Sequence, residues 1–222
     1  RFRLLAGKDQ AKDQSYVLHM LGQSQLSRIR LPIGEMTKDE VRDRAASLGL
    51  RTAAKPDSQD LCFVAGGDYR RFLRSRLPAA DAPGDIVDTA GNVVGAHGGT
   101  SGFTIGQRRG IGVAAPEPRY VVAIRPAGRT VVIGSRRDLE VGGCLLEEVS
   151  FVSGMAPDPA VEVKVRYRAR PVAATLEGGP GSWSLRFAEP QIGVAPGQAA
   201  VLYQGDEVLG GGTISRSLPV AA

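Results

Sequence analysis

The sequence predicts an α+β protein: a short helical stretch at the start, a small mixed or β-rich middle, and an antiparallel β-barrel at the end. Three observations lead there. Up to about residue 80 the apolar residues recur at helical spacing. Beyond it they fall in short β-type runs of even spacing. Those runs are separated by turn signals drawn from 29 Gly and 14 Pro, which show no triplet period. Three parts are expected, over residues 1–54, 55–138 and 139–222, with a composition shift near Asp138–Gly143 marking the last boundary.

Each element follows from local residues. Lys12-Asp13-Gln14-Ser15 leads into Tyr16, Val17, Leu18, Met20 and Leu21, dense enough for a mostly buried helix. Leu31-Pro32-Ile33-Gly34 breaks the chain. Thr37-Lys38-Asp39-Glu40 is a capping box, Val41, Ala45 and Leu48 line one helical face, and Gly49 stops the helix. A further helix is expected from Asp68 to Leu77, ended by Pro78. Strands are expected at Asp85–Asp88, Tyr120–Ile124, Thr130–Ile133, Leu145–Val152, Val161–Arg168, Trp183–Phe187, Ala199–Tyr203 and Glu207–Leu209. In the fifth of these, Val161, Val163, Val165 and Tyr167 share one face and Glu162, Lys164, Arg166 and Arg168 the other. That alternation turns Arg166 outward and Tyr167 inward. Trp183, Leu185 and Phe187 share a face in the same way.

Composition excludes several classes. With 42% hydrophobic and 23% charged residues the chain is an ordinary globular one, not a disordered one. No apolar run reaches the ~18 residues of a membrane span. Two cysteines, Cys62 and Cys144, cannot form a disulfide framework and suit a reducing, cytoplasmic compartment. Two histidines, His19 and His97, leave too few ligands for a zinc site, so no metal is expected. The net charge of +5 is uneven: +6 over residues 1–80, +1 over 81–140 and −2 over 141–222. An anionic partner is drawn to the first third.

Four segments carry residues suited to chemistry. Cys62 stands where Lys55-Pro56-Asp57-Ser58-Gln59-Asp60 gives way to Leu61-Cys62-Phe63-Val64. A cysteine at such a border is either a reactive thiol or a small buried hydrophobe; Asp57 and Asp60 disfavour the thiolate and tilt the local reading to the second. Cys144 opens an apolar strand and reads as core. His97-Gly98-Gly99 through Gly106-Gln107-Arg108-Arg109-Gly110 combines flexible glycines with two arginines that can pair phosphate, yet it lacks the Walker A lysine. The alternative for this stretch is a plain β-loop. Lys12-Asp13-Gln14 offers a cation and an amide to a phosphate or base edge, or else simply starts a helix. Pro196-Gly197-Gln198 is a turn before a strand.

Taken in order, KDQSYVLHML, LPIGEMTKDEVRDRAASLGL, KPDSQDLCFV, GDYRRFL, FTIGQRRGIG, VKVRYRARP and APGQAAVLYQGDEVLGGGTI resemble the tRNA-specific 2-thiouridylases over nearly the whole chain. The resemblance implies an N-terminal adenylating domain of the PP-loop class, a small central domain and a C-terminal barrel like those of translation factors. On that reading residues 1–54 are the helical end of the adenylating domain and residues 55–138 carry the cysteine segment. It implies thiolation of C2 of the wobble uridine in tRNA, with ATP activating the oxygen and a protein persulfide supplying sulfur. By resemblance Cys62 is the catalytic persulfide carrier. Lys12, Asp13 and Gln14, Arg166 and Tyr167, and Gln198 match the family's tRNA-contact segments; the Gly-Gln-Arg-Arg-Gly loop is a weaker candidate.

The family's Ser-Gly-Gly-Val-Asp-Ser phosphate loop, its Asn-Pro-Asp segment and its other catalytic cysteine do not occur in this sequence. The ATP site is therefore expected in a part that this chain lacks, no cofactor is expected on the chain, and the chain alone is expected to be inactive. The expected partners are tRNA and a sulfur-donating desulfurase or relay protein, with no membrane. A competing reading is a non-catalytic RNA-binding barrel, which has no use for Cys62. A cysteine hydrolase using Cys62 and a histidine is the poorest reading, for want of a recognisable third partner.

Overall fold

The computed structural model describes residues 1–56, 76, 82–167 and 169–220. The chain forms two units, one of residues 1–56 with 141–222 and one of residues 57–140. The architecture is α+β with few helices, as expected. The helix expected over Asp68–Leu77 lies outside the described residues, Arg76 apart.

The first unit is built on a closed six-stranded antiparallel barrel. Its strands are β6 (Val141–Phe151), β7 (Ala160–Lys164), β8 (Val172–Gly179), β9 (Ser182–Gln191), β10 (Ala199–Gln204) and β11 (Glu207–Leu218). They neighbour one another in the order β6-β9-β8-β7-β10-β11, and β11 pairs back onto β6. Closure removes the open edges that an isolated sheet exposes. Inward-pointing Val161 and Val163 of β7, Leu176 of β8, Leu185 and Phe187 of β9, Leu202 of β10 and Ile214 of β11 fill the core, with Cys144 among them.

β10 is apolar on both faces because both are covered. Ala200 and Leu202 point into the barrel, while Val201 and Tyr203 point out against the N-terminal segment. That segment lays β1 (Leu4–Leu5) beside β11, with Leu4 opposite Val208. Leu4, Tyr16 and Leu26 of the segment then close a second small core with Val152, Val201, Tyr203 and Val208.

Three expectations need correcting here. The segment after Gln14 is not a long buried helix but a 3-10 turn over Ser15–Leu18, followed by the short α1 (Gln23–Leu26). At three residues per turn Tyr16 and His19 face the barrel together and Val17 and Met20 stay exposed. β7 ends at Lys164, so Val165 stays buried but the backbone bends before Tyr167, which is exposed rather than inside. The last strand was expected over Glu207–Leu209, yet β11 runs on through Gly210-Gly211-Gly212 to Leu218. The glycines sit where strands crowd: a Cβ on Gly211 would lie 2.5 Å from the Ala200 carbonyl oxygen and 2.9 Å from the His19 ring.

Helix α2 (Lys38–Ser47) starts from the expected capping box. Thr37 Oγ1 accepts from the Glu40 amide at 3.3 Å, and the Thr37 amide donates to the Glu40 carboxylate at 2.6 Å. Gly49, with φ of +67°, ends it. No α2 residue is buried, and Leu48, expected on the shared apolar face, is 61% exposed.

The second unit is a small mixed sheet. β2 (Gly84–Val87), β3 (Val93–His97), β4 (Tyr120–Arg125) and β5 (Thr130–Gly134) are ordered β3-β2-β5-β4, and β2 runs parallel to β5. Ile86, Ile111, Val121, Val131 and Ile133 form its core. β3 escapes the sequence pattern because its valines face outward, Val93 being 65% exposed.

Candidate nucleic-acid interface

The barrel unit brings together three segments that lie far apart in sequence. The Gln14 side-chain amide donates to the Tyr167 hydroxyl, across 153 positions of chain. The rings of Tyr16 and Tyr167 meet edge to face with centroids 6.0 Å apart. The Tyr16 hydroxyl donates to the Ala199 carbonyl at 2.6 Å, next to Gln198. Gln198 is held in its turn by its own backbone: its carbonyl accepts from the Ile214 amide at 2.8 Å and its amide donates to Ala195 at 3.3 Å. Its side chain is exposed.

Asp13 faces inward, with a relative exposure of 9%. Its carboxylate accepts from the Gly7 and Ser15 amides at 2.9 and 3.0 Å and from the Ser15 hydroxyl at 2.7 Å. The acid therefore shapes the loop, and the flanking Lys12 and Gln14 are the exposed members of the triplet. Arg166 is exposed and its guanidinium lies beside Gly193. A Cβ there would stand 3.2 Å from Arg166 Nη1, at a φ of +76° that already favours glycine. Lys164 Nζ sits over the Tyr203 ring, 4.7 Å from its centroid.

Burial sets the ionisation of the phenols. Removal from water pushes the Tyr16 hydroxyl up to about 12, with the neighbouring Tyr203 adding to the effect. Tyr203 is also raised, first by burial, with the charge of Asp13 adding to it. Both phenols are therefore neutral and able to donate near neutrality. Cys144, wholly buried in the barrel, has its thiol pushed up to about 12 by the same desolvation and has no chemistry to offer. Cys62 lies outside the described residues.

In the second unit His97 is spoken for. Its Nδ1 accepts from the Gly99 amide at 3.0 Å, which leaves the proton on Nε2 to donate to the Arg129 carbonyl at 3.0 Å. The ring is buried edge-on to Phe103, with centroids 5.4 Å apart. This histidine is a structural strut and not a base. His19 is buried likewise, with Nδ1 at 2.9 Å from the Tyr16 carbonyl. Among the described residues no group of three or more His, Cys, Asp or Glu is arranged to hold a metal, and no helix is long and apolar enough to cross a membrane.

Family models match three successive stretches of the chain. Residues 1–66 match a tRNA methyl transferase HUP domain, residues 70–135 a tRNA methyl transferase PRC-barrel domain, and residues 141–214 an aminomethyltransferase β-barrel domain. A tRNA-specific 2-thiouridylase MnmA 2 of Syntrophus aciditrophicus is 42% identical over 243 aligned residues, covering 99% of this chain and 71% of that protein. This chain belongs to the tRNA-specific 2-thiouridylase family. The family's Roseiflexus sp. member is 48% identical over 97% of the chain, and that of Acidithiobacillus ferrooxidans 49% over 95%. The chain spans 58% and 61% of the length of those two relatives.

The junction residue is one that sequence reasoning did not single out. Tyr16 was legible only as an apolar residue of a helix, yet it touches both the Tyr167 and the Ala199 segments. Gly193 was likewise unmarked. The one signal available for Tyr16 was its place two residues after Gln14.

Proposed function

We propose that this chain is the part of a tRNA-uridine 2-sulfurtransferase that grips tRNA and carries sulfur to the wobble uridine. The observation that carries the reading is the Gln14–Tyr167 hydrogen bond. It joins two segments that family resemblance assigns separately to tRNA contact. The Tyr16–Ala199 bond brings the third such segment to the same side.

The roles follow from the side chains. Lys12 and Arg166 neutralise phosphates, which makes binding strongly salt-dependent. Tyr167, its hydroxyl held by Gln14, offers a fixed aromatic face for an unstacked base or ribose. The amides of Gln14 and Gln198 suit base edges or 2′-hydroxyls. Asp13 holds the loop that presents Lys12 and Gln14. Cys62 carries the transferred sulfur as a persulfide, delivered by a desulfurase or a relay protein. The wobble base reaches it only when extruded from the anticodon stack. The setting is the cytoplasm.

The α2 terminus does not fit the phosphates of ATP. The first turn of α2 carries Asp39 and Glu40, and Thr37 and Glu40 close its capping box, so this terminus repels rather than cradles phosphate. No step through ATP runs on these residues. The ATP-dependent activation belongs to the whole enzyme, and this chain alone is inactive.

The test uses the full-length protein. Cys62→Ser is expected to abolish formation of 2-thiouridine and leave tRNA affinity unchanged. Lys12→Ala with Arg166→Ala is expected to weaken tRNA binding about ten-fold or more at 0.1 M salt and to flatten its salt dependence by roughly two phosphate contacts. Retained thiolation in the Cys62 variant would make this chain a tRNA-holding module without a sulfur carrier.

A further inference from the structure

We propose that the loop from Thr104 to Arg119 in the second unit is a separate phosphate-binding element, with Arg108 and Arg109 as its contacts to the tRNA backbone. The inference rests on the tRNA-binding reading above but on none of its residues.

The loop is built rather than slack. The Thr104 amide donates to Gln107 Oε1 at 3.0 Å, and Gln107 Nε2 donates to the Arg109 carbonyl at 2.9 Å. One side chain thus clamps both sides of the arginine pair. The backbone is pinned to β4 as well: the Gly106 amide donates to Val121 at 2.8 Å and the Val121 amide to Gln107 at 2.9 Å. Phe103 before the clamp and Ile111 after it are anchored in the sheet core. Gly110, with φ of +72°, makes the turn straight after the arginines.

This scaffold holds cations that no described residue pairs with. Arg108 and Arg109 are exposed, and among the described residues neither of them nor Arg119 is ion-paired. Arg108 and Arg119 line one open cavity of about 590 Å³, where the single acidic lining residue among the described ones is Glu117. Holding like charges together on a clamped loop is unfavourable until an anion arrives. Guanidinium forks pair phosphate oxygens two at a time, and a preorganised fork loses less entropy in doing so than a free one. An open, shallow site of this kind suits a phosphodiester strand passing across it better than a small molecule needing enclosure.

The experiment measures binding of an unmodified tRNA transcript by the full-length protein between 50 and 200 mM salt. For Arg108→Gln with Arg109→Gln we expect affinity about ten-fold weaker at 0.1 M salt and a log–log salt slope shallower by roughly 1.5, the loss of two phosphate contacts. Arg108→Lys with Arg109→Lys should keep the slope and lose only part of the affinity, because charge is retained and the fork is not. Unchanged thermal unfolding of the variants rules out a folding defect. If the wild type binds tRNA and the Lys12/Arg166 variant weakens it, but the Arg108/Arg109 variant leaves slope and affinity unaltered, this proposal is overturned and the barrel reading stands. If wild-type protein does not bind tRNA at all, the barrel reading itself has failed. Saturation of the loop by inorganic phosphate, with tRNA binding indifferent to the arginines, would assign it to a free anion and likewise overturn the proposal.

Discussion

Asp13 and Tyr16 show how single residues set the geometry of the candidate interface through bonds within the protein. Asp13 spends its carboxylate on Gly7 and Ser15. Tyr16 spends its hydroxyl on Ala199 and its ring on Tyr167. Because burial raises the Tyr16 hydroxyl from 10.0 to about 12, its neutral form is favoured by the fold. The sign is fixed by that direction: the stabilisation is whole below pH 10 and is lost as pH rises through 12. Tyr203, raised in the same direction, adds to the loss. Tyr16→Phe should therefore make the fall in stability above pH 10 shallower, as read from denaturant midpoints at pH 9, 10 and 11. An identical pH profile in the variant would contradict this account of Tyr16. Near neutrality the variant should cost roughly 1 kcal/mol, the usual net worth of one hydrogen bond.

At the scale of elements, α2 is the place where sequence and structure agree on the ends and differ on the faces. Its capping box and its terminal glycine were legible because both rest on side chains three residues apart or on a single φ. Its packing was not, because an apolar spacing says which residues share a face but not whether anything covers it. The cap has a pH signature. Hydrogen bonds from Thr37, then from Lys8, hold the Glu40 carboxylate down to about 2 from an ordinary 4.5. A depressed carboxylate stabilises above its ordinary value, so the cap is intact at neutral pH and is lost as pH falls from 4.5 towards 2. Thr37→Ala should cost about 1 kcal/mol of helix stability. Since no α2 residue is buried, the loss should show as faster amide exchange within Lys38–Ser47 and hardly at all in the global unfolding temperature. A drop of several degrees in that temperature would show that α2 is coupled to the barrel after all.

For strands the lesson is similar. β9 was legible because Trp183, Leu185 and Phe187 alternate, and β10 because it is apolar throughout. β8 was missed because alanine, threonine and glycine dilute the same alternation, although Ala174 and Leu176 do point inward. β11 was cut short because a glycine run reads as a loop until the crowded seam between β10 and β6 is seen.

At the scale of the molecule, the α+β class and the C-terminal barrel follow from the change in apolar period after residue 80 and from even turn spacing. What no local pattern reveals is that residues 1–56 join the barrel strands in one unit. That join is made by Leu4 beside Val208 and by Tyr16 against Val201 and Tyr203, contacts some 200 positions apart in chain. It is also what sets Gln14 beside Tyr167. The candidate interface is thus a product of the tertiary fold, although each of its segments carried a sequence signal of its own.

The central claim, that these segments form one tRNA-binding surface, is tested most directly by a double-mutant cycle in the full-length protein. Affinity for an unmodified tRNA transcript is measured for wild type, Gln14→Ala, Tyr167→Phe and the pair together. Each single change should weaken binding several-fold, and the double variant should be hardly weaker than the worse single one, because both break the same bond. Unchanged affinity in the single variants, or losses that simply multiply, would contradict the claim.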